Sequence, residues 1–245
     1  MDRRVAVVAG AGFYVGPSLA RLLAARDHAL VLGDPRPDLV DELRSNGVEV
    51  VAVEGTRNLD DPQSSQRLVD AALERFGRVD SATMASGQIV TGRFLRSTVD
   101  DFRSVIEGCM IAPYHFLKAM VGPMVERGEG QVLVITSASG ARPTPGAPLY
   151  SAARAGASHL VRNVADEVAR HQVQVNAVGT NYMDFPEFRR ATGADDPVVR
   201  AKIEGQVPMG RLGTMDEFAH FCMPFIDGAS RFTTGQFVAY AGGWA

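Results

Sequence analysis

Apolar runs of strand length recur along this chain, and stretches with helical spacing separate them. Residues 4–9, 29–33, 49–53, 79–84, 131–136, 173–178 and 237–240 read as strands. Runs such as QVLVIT carry no polar alternation, so both faces of these strands must be covered. Helical spacing is predicted over 16–26, 37–46, 62–76, 99–126, 147–170 and 214–227, with Gly47 and Gly77 as stops and Pro113 as a bend. Strands alternating with helices predict an α/β fold: a single Rossmann-like doubly wound domain over 1–245. Its sheet is expected to be about seven-stranded and mostly parallel, with helices on both faces. The stretch 181–196 is the longest without periodicity. It follows a strand, where such folds bind ligands.

Composition excludes several classes. A net charge of −3 and the absence of a Lys/Arg run argue against nucleic acid as the partner. No apolar stretch reaches the ~20 residues of a membrane span. The amino-terminal MDRRVAVVAG lacks a signal-peptide cleavage site. Cys109 and Cys222 stand far apart in apolar patterns, which predicts buried free thiols, a cytoplasmic protein and no metal.

The most informative spacing follows the fifth strand. Ser137 stands at the strand end, Tyr150 thirteen residues later, and Arg154 four after that. Tyr150 and Arg154 at i, i+4 share a helix face. A fixed cation beside a phenol stabilises the phenolate, which suits Tyr150 to proton transfer, and Ser137 can hold a substrate oxygen. Singly, each residue reads as an ordinary surface or strand-end residue; the combination on this fold reads as catalytic.

The first turn is the second constellation. AGAGFYVG, residues 9–16, joins the first strand to its helix. A phosphate-cradling turn needs glycine so that backbone can approach a pyrophosphate, but Tyr14 takes the middle place. Asp34 closes the second strand, where an acid would hold an adenosine ribose; capping the next helix is its other reading.

These residues resemble the short-chain dehydrogenase/reductase superfamily along nearly the whole chain. That superfamily carries Ser…Tyr-x-x-x-Lys, and here Lys becomes Arg154. The other departures are Tyr14 for glycine, Met84-Ala85-Ser86-Gly87 for Asn-Asn-Ala-Gly, Met110 for a helix Asn, and Thr180-Asn181 with Phe185 for Pro-Gly with Thr. Within the superfamily, Ser137-x12-Tyr150-x3-Arg154, the Tyr14-x-Gly16 turn, YSAARAGA and GTNYM resemble the halohydrin dehalogenases. Ala9 departs from that family's Thr. This resemblance implies a lyase that needs no NAD(P) cofactor. It would convert vicinal halohydrins to epoxides and open epoxides with small anions such as azide, cyanide and nitrite. Catalysis would fall to Ser137, Tyr150 and Arg154. Halide would sit by Tyr14, Thr180, Asn181, Tyr182 and Met183. Met84, Ala85, Ser139, Phe185 and Phe188 would line the substrate pocket, although Phe185 and Phe188 also suit the core. A homodimer or homotetramer through the two long helices is implied, and Trp244 could pack on a neighbour or on its own sheet edge. The alternatives are an NAD(P)-dependent short-chain oxidoreductase with an altered loop, or a non-catalytic protein on the same fold.

Overall fold

A computed structural model describes residues 3–245. Seven strands form one sheet in the order β3-β2-β1-β4-β5-β6-β9, with every pair parallel. They are β1 (Arg4–Val8), β2 (His28–Gly33), β3 (Val50–Val53), β4 (Ser81–Ala85), β5 (Gly130–Ser137), β6 (Val173–Thr180) and β9 (Phe237–Tyr240). The order reverses between β1 and β4. The crevice outside the strands' carboxyl ends at such a reversal is the usual ligand site.

Both faces are covered, as the apolar runs require. On one side Val5 and Val7 of β1 pack with Leu68 of α3 (Pro62–Phe76), Phe116 and Met120 of α5 (Ala112–Arg127) and Val161 of α6 (Pro148–Val168). On the other, Ala6 and Val8 pack with Leu19 and Leu23 of α1 (Gly16–Ala24), Leu39 of α2 (Pro37–Ser45) and Phe218 of α9 (Met215–Cys222). The period-two alternation of a strand splits one apolar run between two cores. Cys109 and Cys222 are buried and free.

Three stretches differ from the sequence expectation. The helix expected over 99–126 is broken into α4 (Val99–Ile106), a π-helical turn (Glu107–Ile111) and α5. Pro113 has no N–H for the carbonyl four residues back, which favours a wide turn there. That turn brings Gly108 against Gln88, where a Cβ would lie 2.7 Å from the Gln88 nitrogen. The aperiodic 181–196 holds two elements, β7 (Met183–Asp184) and α7 (Pro186–Thr192), and β7 pairs with β8 (Gly213–Thr214). The last helix ends early: α9 gives way to a 3-10 turn at Met223–Phe225, where Pro224 interrupts the ladder. The final helix before β9 is preceded by α8 (Pro197–Glu204).

Gly16 shows how tightly the first turn is folded. A Cβ there would stand 2.4 Å from the Gly10 carbonyl oxygen and 2.8 Å from the Ala11 Cα, both backbone atoms that cannot swing away. Gly16→Ala should therefore cost about 1–3 kcal/mol of stability. Urea unfolding checks this; an unchanged midpoint would show that the turn yields easily.

Candidate active site

The first turn is held by backbone hydrogen bonds, two to neighbouring strands and one within the turn. Ala9 N–H donates to Thr83 O at 2.9 Å, Ala11 N–H to Gly33 O at 2.9 Å, and Gly16 N–H to Phe13 O at 3.0 Å. Gly10 has φ +74° and Tyr14 has φ +51°. Position 14 thus keeps a left-handed backbone of the kind glycine adopts freely, while carrying a large side chain. Such strain costs of order 1–3 kcal/mol and persists where surroundings enforce it. Here the enforcing contacts are plain. The Tyr14 hydroxyl shares a 2.7 Å hydrogen bond with Thr180 Oγ1, and its ring meets Phe185 edge-on at 4.8 Å. Burial pushes the Tyr14 phenol up, with the Thr180 hydrogen bond acting the other way, so it stays protonated.

Parallel register sets Ser137 beside Thr180 at the carboxyl ends of β5 and β6. Ser137 Oγ donates to Thr180 O at 3.3 Å and accepts from Ser139 N at 3.2 Å and Ser139 Oγ at 2.8 Å. Tyr150 and Arg154 stand one helical turn apart on α6, both buried. The guanidinium carbon of Arg154 lies over the Tyr150 ring, 5.1 Å from its centroid. Arg154 Nη2 donates to Ser86 O, while Nε and Nη1 are buried without a partner. Gly87 makes room for this contact, since a Cβ there would overlap the guanidinium.

All three catalytic candidates line one cavity of about 890 Å³, toward the upper end of the ~300–1,000 Å³ typical of small-molecule sites. So do Tyr14, Thr180, Asn181, Tyr182 and Met183, and also Ala85, Ser139, Phe185 and Phe188. Met84 does not. It is fully buried in the core with Val132 and Phe116, because it and Ala85 point to opposite faces of β4. Met110 is also off the cavity, packed where a Cβ on Gly156 would sit 2.9 Å from its methyl.

Other lining residues escaped the sequence reading. Arg57, Asn58 and Asp60 line the cavity, and Glu107 and Gly108 join them through the π-helical turn. Trp244 also lines the cavity, against Tyr182 at 5.9 Å and beneath Arg142 at 4.8 Å, so it packs within its own chain. Asp34 does not cap α2, whose N-cap is Arg36. Its carboxylate instead accepts from Gly55 N–H and Thr56 N–H, both at 2.6 Å, and from Thr56 Oγ1 at 3.1 Å.

Asp184 clamps the loop that covers the cavity. It accepts from Arg189 of α7 at 2.7 Å and from Arg200 of α8 at 2.8 Å. Burial alone would raise its pKa, but hydrogen bonds from Arg200 and Arg189 outweigh burial and hold the carboxyl below its usual range. A depressed carboxyl pKa means stability that is present above the unfolded value of ~3.9 and is lost as pH falls through the folded value. Asp184→Asn should therefore speed amide exchange across 186–204 at neutral pH and remove the acid-induced loosening expected of the parent. Equal exchange in both proteins would show that the clamp holds nothing.

Residues 12–245 match the family described as enoyl-(acyl carrier protein) reductase, and the chain belongs to that family, within the short-chain dehydrogenase/reductase superfamily. It is 32% identical over 249 residues to cis-4-hydroxycyclohexanecarboxylate dehydrogenase of Sinomonas cyclohexanicum, covering 98% of this chain and 96% of that protein. It is 28% identical over 247 residues to 3-oxoacyl-[acyl-carrier-protein] reductase FabG of Escherichia coli K12, covering 99% and 97%. Among solved structures, ElxO with NADP bound shares the fold at a TM-score of 0.88 and 18% identity, covering 99% of each chain.

These likenesses overturn the halohydrin dehalogenase expectation. The relatives that match from end to end are named reductases and dehydrogenases, not carbon–halide lyases. The expectations of halohydrin, epoxide and small-anion chemistry and of a reaction without NAD(P) fall with it. The physical reason is one of scale. The first-turn tyrosine and the Tyr-x3-Arg pair occupy a few positions, whereas the end-to-end similarity involves the whole sheet and its loops.

Proposed function

We propose that this chain is an oxidoreductase that interconverts an alcohol and its carbonyl compound, with a nicotinamide nucleotide as co-substrate. The observation that carries this reading is that Ser137 and Tyr150 line one cleft at the sheet's switch point. The names of the full-length relatives support it, as does the NADP in ElxO.

The cleft's fit to a nucleotide depends on Tyr14. Gly10 and the left-handed backbone at position 14 keep the conformation of a phosphate-cradling turn. The Tyr14 ring stands across that turn, tied to Thr180. A nucleotide fits once this hydrogen bond opens and the ring swings off. The 9–16 turn would then hold its phosphates, and Arg57, Asn58 and Asp60 would border its far end. When bound, the nucleotide would supply or accept the hydride.

The chain's own residues handle oxygen and proton. Ser137, still accepting from Ser139, would turn its one hydroxyl proton from Thr180 O to the substrate oxygen. Tyr150 gives its hydroxyl proton to that oxygen in reduction and takes it back in oxidation. Asn181, Tyr182 and Met183 wall the substrate end, with Phe185 and Phe188 as its apolar side. Phe94, Leu95, Val99 and Phe102 are exposed on and before α4, which supports self-association through this region.

Two outcomes test the reading. Tyr150→Phe should lower NADPH-dependent reduction of a small cyclic ketone by at least ~100-fold with the fold intact by circular dichroism; a near-parental rate would remove Tyr150 from the chemistry. Tyr14→Gly should tighten NADPH binding, read by nucleotide fluorescence, by roughly tenfold or more, since it relieves strain and frees the turn. Weaker binding in that variant would mean that Tyr14 supports the nucleotide instead of obstructing it.

A further inference from the structure

Ser139 lines the cleft, but its hydroxyl is engaged with the neighbouring serine. Its Oγ lies 2.8 Å from Ser137 Oγ, and its N–H reaches the same oxygen at 3.2 Å. The N–H bond alone is an ordinary cap of the 3-10 turn Ala138–Ala141. The hydroxyl bond adds nothing to that turn and needs another account.

The donors and acceptors fix the direction of each bond. Ser137 Oγ has one proton and two lone pairs. Thr180 O can only accept, so the Ser137 proton points to it, at 3.3 Å. The Ser139 N–H can only donate. Ser139 Oγ must therefore donate as well, and both Ser137 lone pairs are taken. The Thr180 bond is the longest of the three, and so the one that yields when a substrate oxygen arrives. The two bonds from Ser139 then remain. A chain runs from the Ser139 hydroxyl to the Ser137 hydroxyl to the substrate oxygen, and each bond in such a chain polarises the next.

Ser139 is itself held from the far side. Ser151, next to Tyr150 on α6, donates through Oγ to Ser139 O at 2.6 Å. Gly140 lets the turn press on the same helix, since a Cβ there would lie 2.8 Å from Ala155 N. Ser139 thus bridges the serine at the end of β5 and the helix that carries the tyrosine.

We infer that Ser139 is a positioning residue that acts through Ser137. By filling both Ser137 lone pairs it makes that hydroxyl a one-way donor to the substrate oxygen. Ser137 can then neither take up a proton nor attack a carbonyl carbon, and Tyr150 is left as the proton carrier. The inference rests on the oxidoreductase reading for the identity of the reacting oxygen.

The experiment is a double-mutant cycle on NADPH-dependent reduction of cyclohexanone, with Ser137→Ala, Ser139→Ala and the pair. Ser139→Ala should lower kcat/KM roughly five- to tenfold, the worth of one hydrogen bond. Ser139→Thr, which keeps the hydroxyl, should restore it. In the Ser137→Ala background, Ser139→Ala should change kcat/KM by less than about twofold, because nothing remains for it to act through. Equal losses in both backgrounds, as a merely structural or substrate-touching residue gives, would overturn the inference, and so would no loss in the parent. If the alanine variant fails to fold, Ser139→Cys, similar in shape with a weak donor, completes the same cycle. Reduction without coupling sinks this inference and leaves the oxidoreductase reading standing. Where neither NADPH nor NADH supports reduction, the same cycle is read on cyclohexanone affinity by calorimetry. Coupling there keeps the inference and sinks the oxidoreductase reading; its absence sinks both.

Discussion

Thr180 ties the two halves of the cleft together. Its carbonyl accepts from Ser137 and its hydroxyl meets Tyr14, so one residue at the end of β6 touches both the serine and the first turn. This is possible only because β5 and β6 run parallel in a register that sets Ser137 level with Thr180. A slip of one residue would turn every side chain of the strand to the other face. The continuous apolar runs of both strands pay for that register, since they bury both faces along their length.

Much of this was legible in the sequence because the relevant signals are local. The apolar runs specified parallel strands, and Tyr150 and Arg154 at helical spacing specified a shared face. Ser137 followed from its place at a strand end. What escaped depends on contacts distant in sequence. Asp34 looked like a ribose ligand or a cap, but its carboxylate belongs to Gly55 and Thr56, about twenty residues on. Met84 and Ala85 were read together, although a strand sends neighbours to opposite sides. The π-helical turn left no periodic trace: a single Pro113 predicted a bend, not the widened turn that brings Glu107 to the cavity.

The lesson of the dehalogenase expectation is similar. Tyr14 in a glycine's place and Arg154 in a lysine's place are real features, and the structure shows what each does. Tyr14 closes the turn against Thr180, and Arg154 reaches Ser86 past Gly87. Neither contact by itself specifies which bond is made or broken. A pair of local substitutions describes the shape and charge of a cleft, whereas the end-to-end likeness to reductases and dehydrogenases bears on the chemistry that the whole scaffold was built around.

The two departures also differ in energy. Strain at Tyr14 amounts to about 1–3 kcal/mol and is offset within the protein, by a hydrogen bond and an aromatic contact that exist without a ligand. Arg154 has a hydrogen bond to Ser86 and the Tyr150 ring face as well, but its Nε and Nη1 stay buried without partners and no carboxylate answers its charge among the described residues. A folded state with about 5–15 kcal/mol of total stability can carry one uncompensated group of this kind, but it does so at a standing cost. Nη2 is held on Ser86 in the space that Gly87 leaves, which fixes the guanidinium plane over the Tyr150 ring. The same rigidity explains why lysine, a mobile point charge, would not be equivalent at this position.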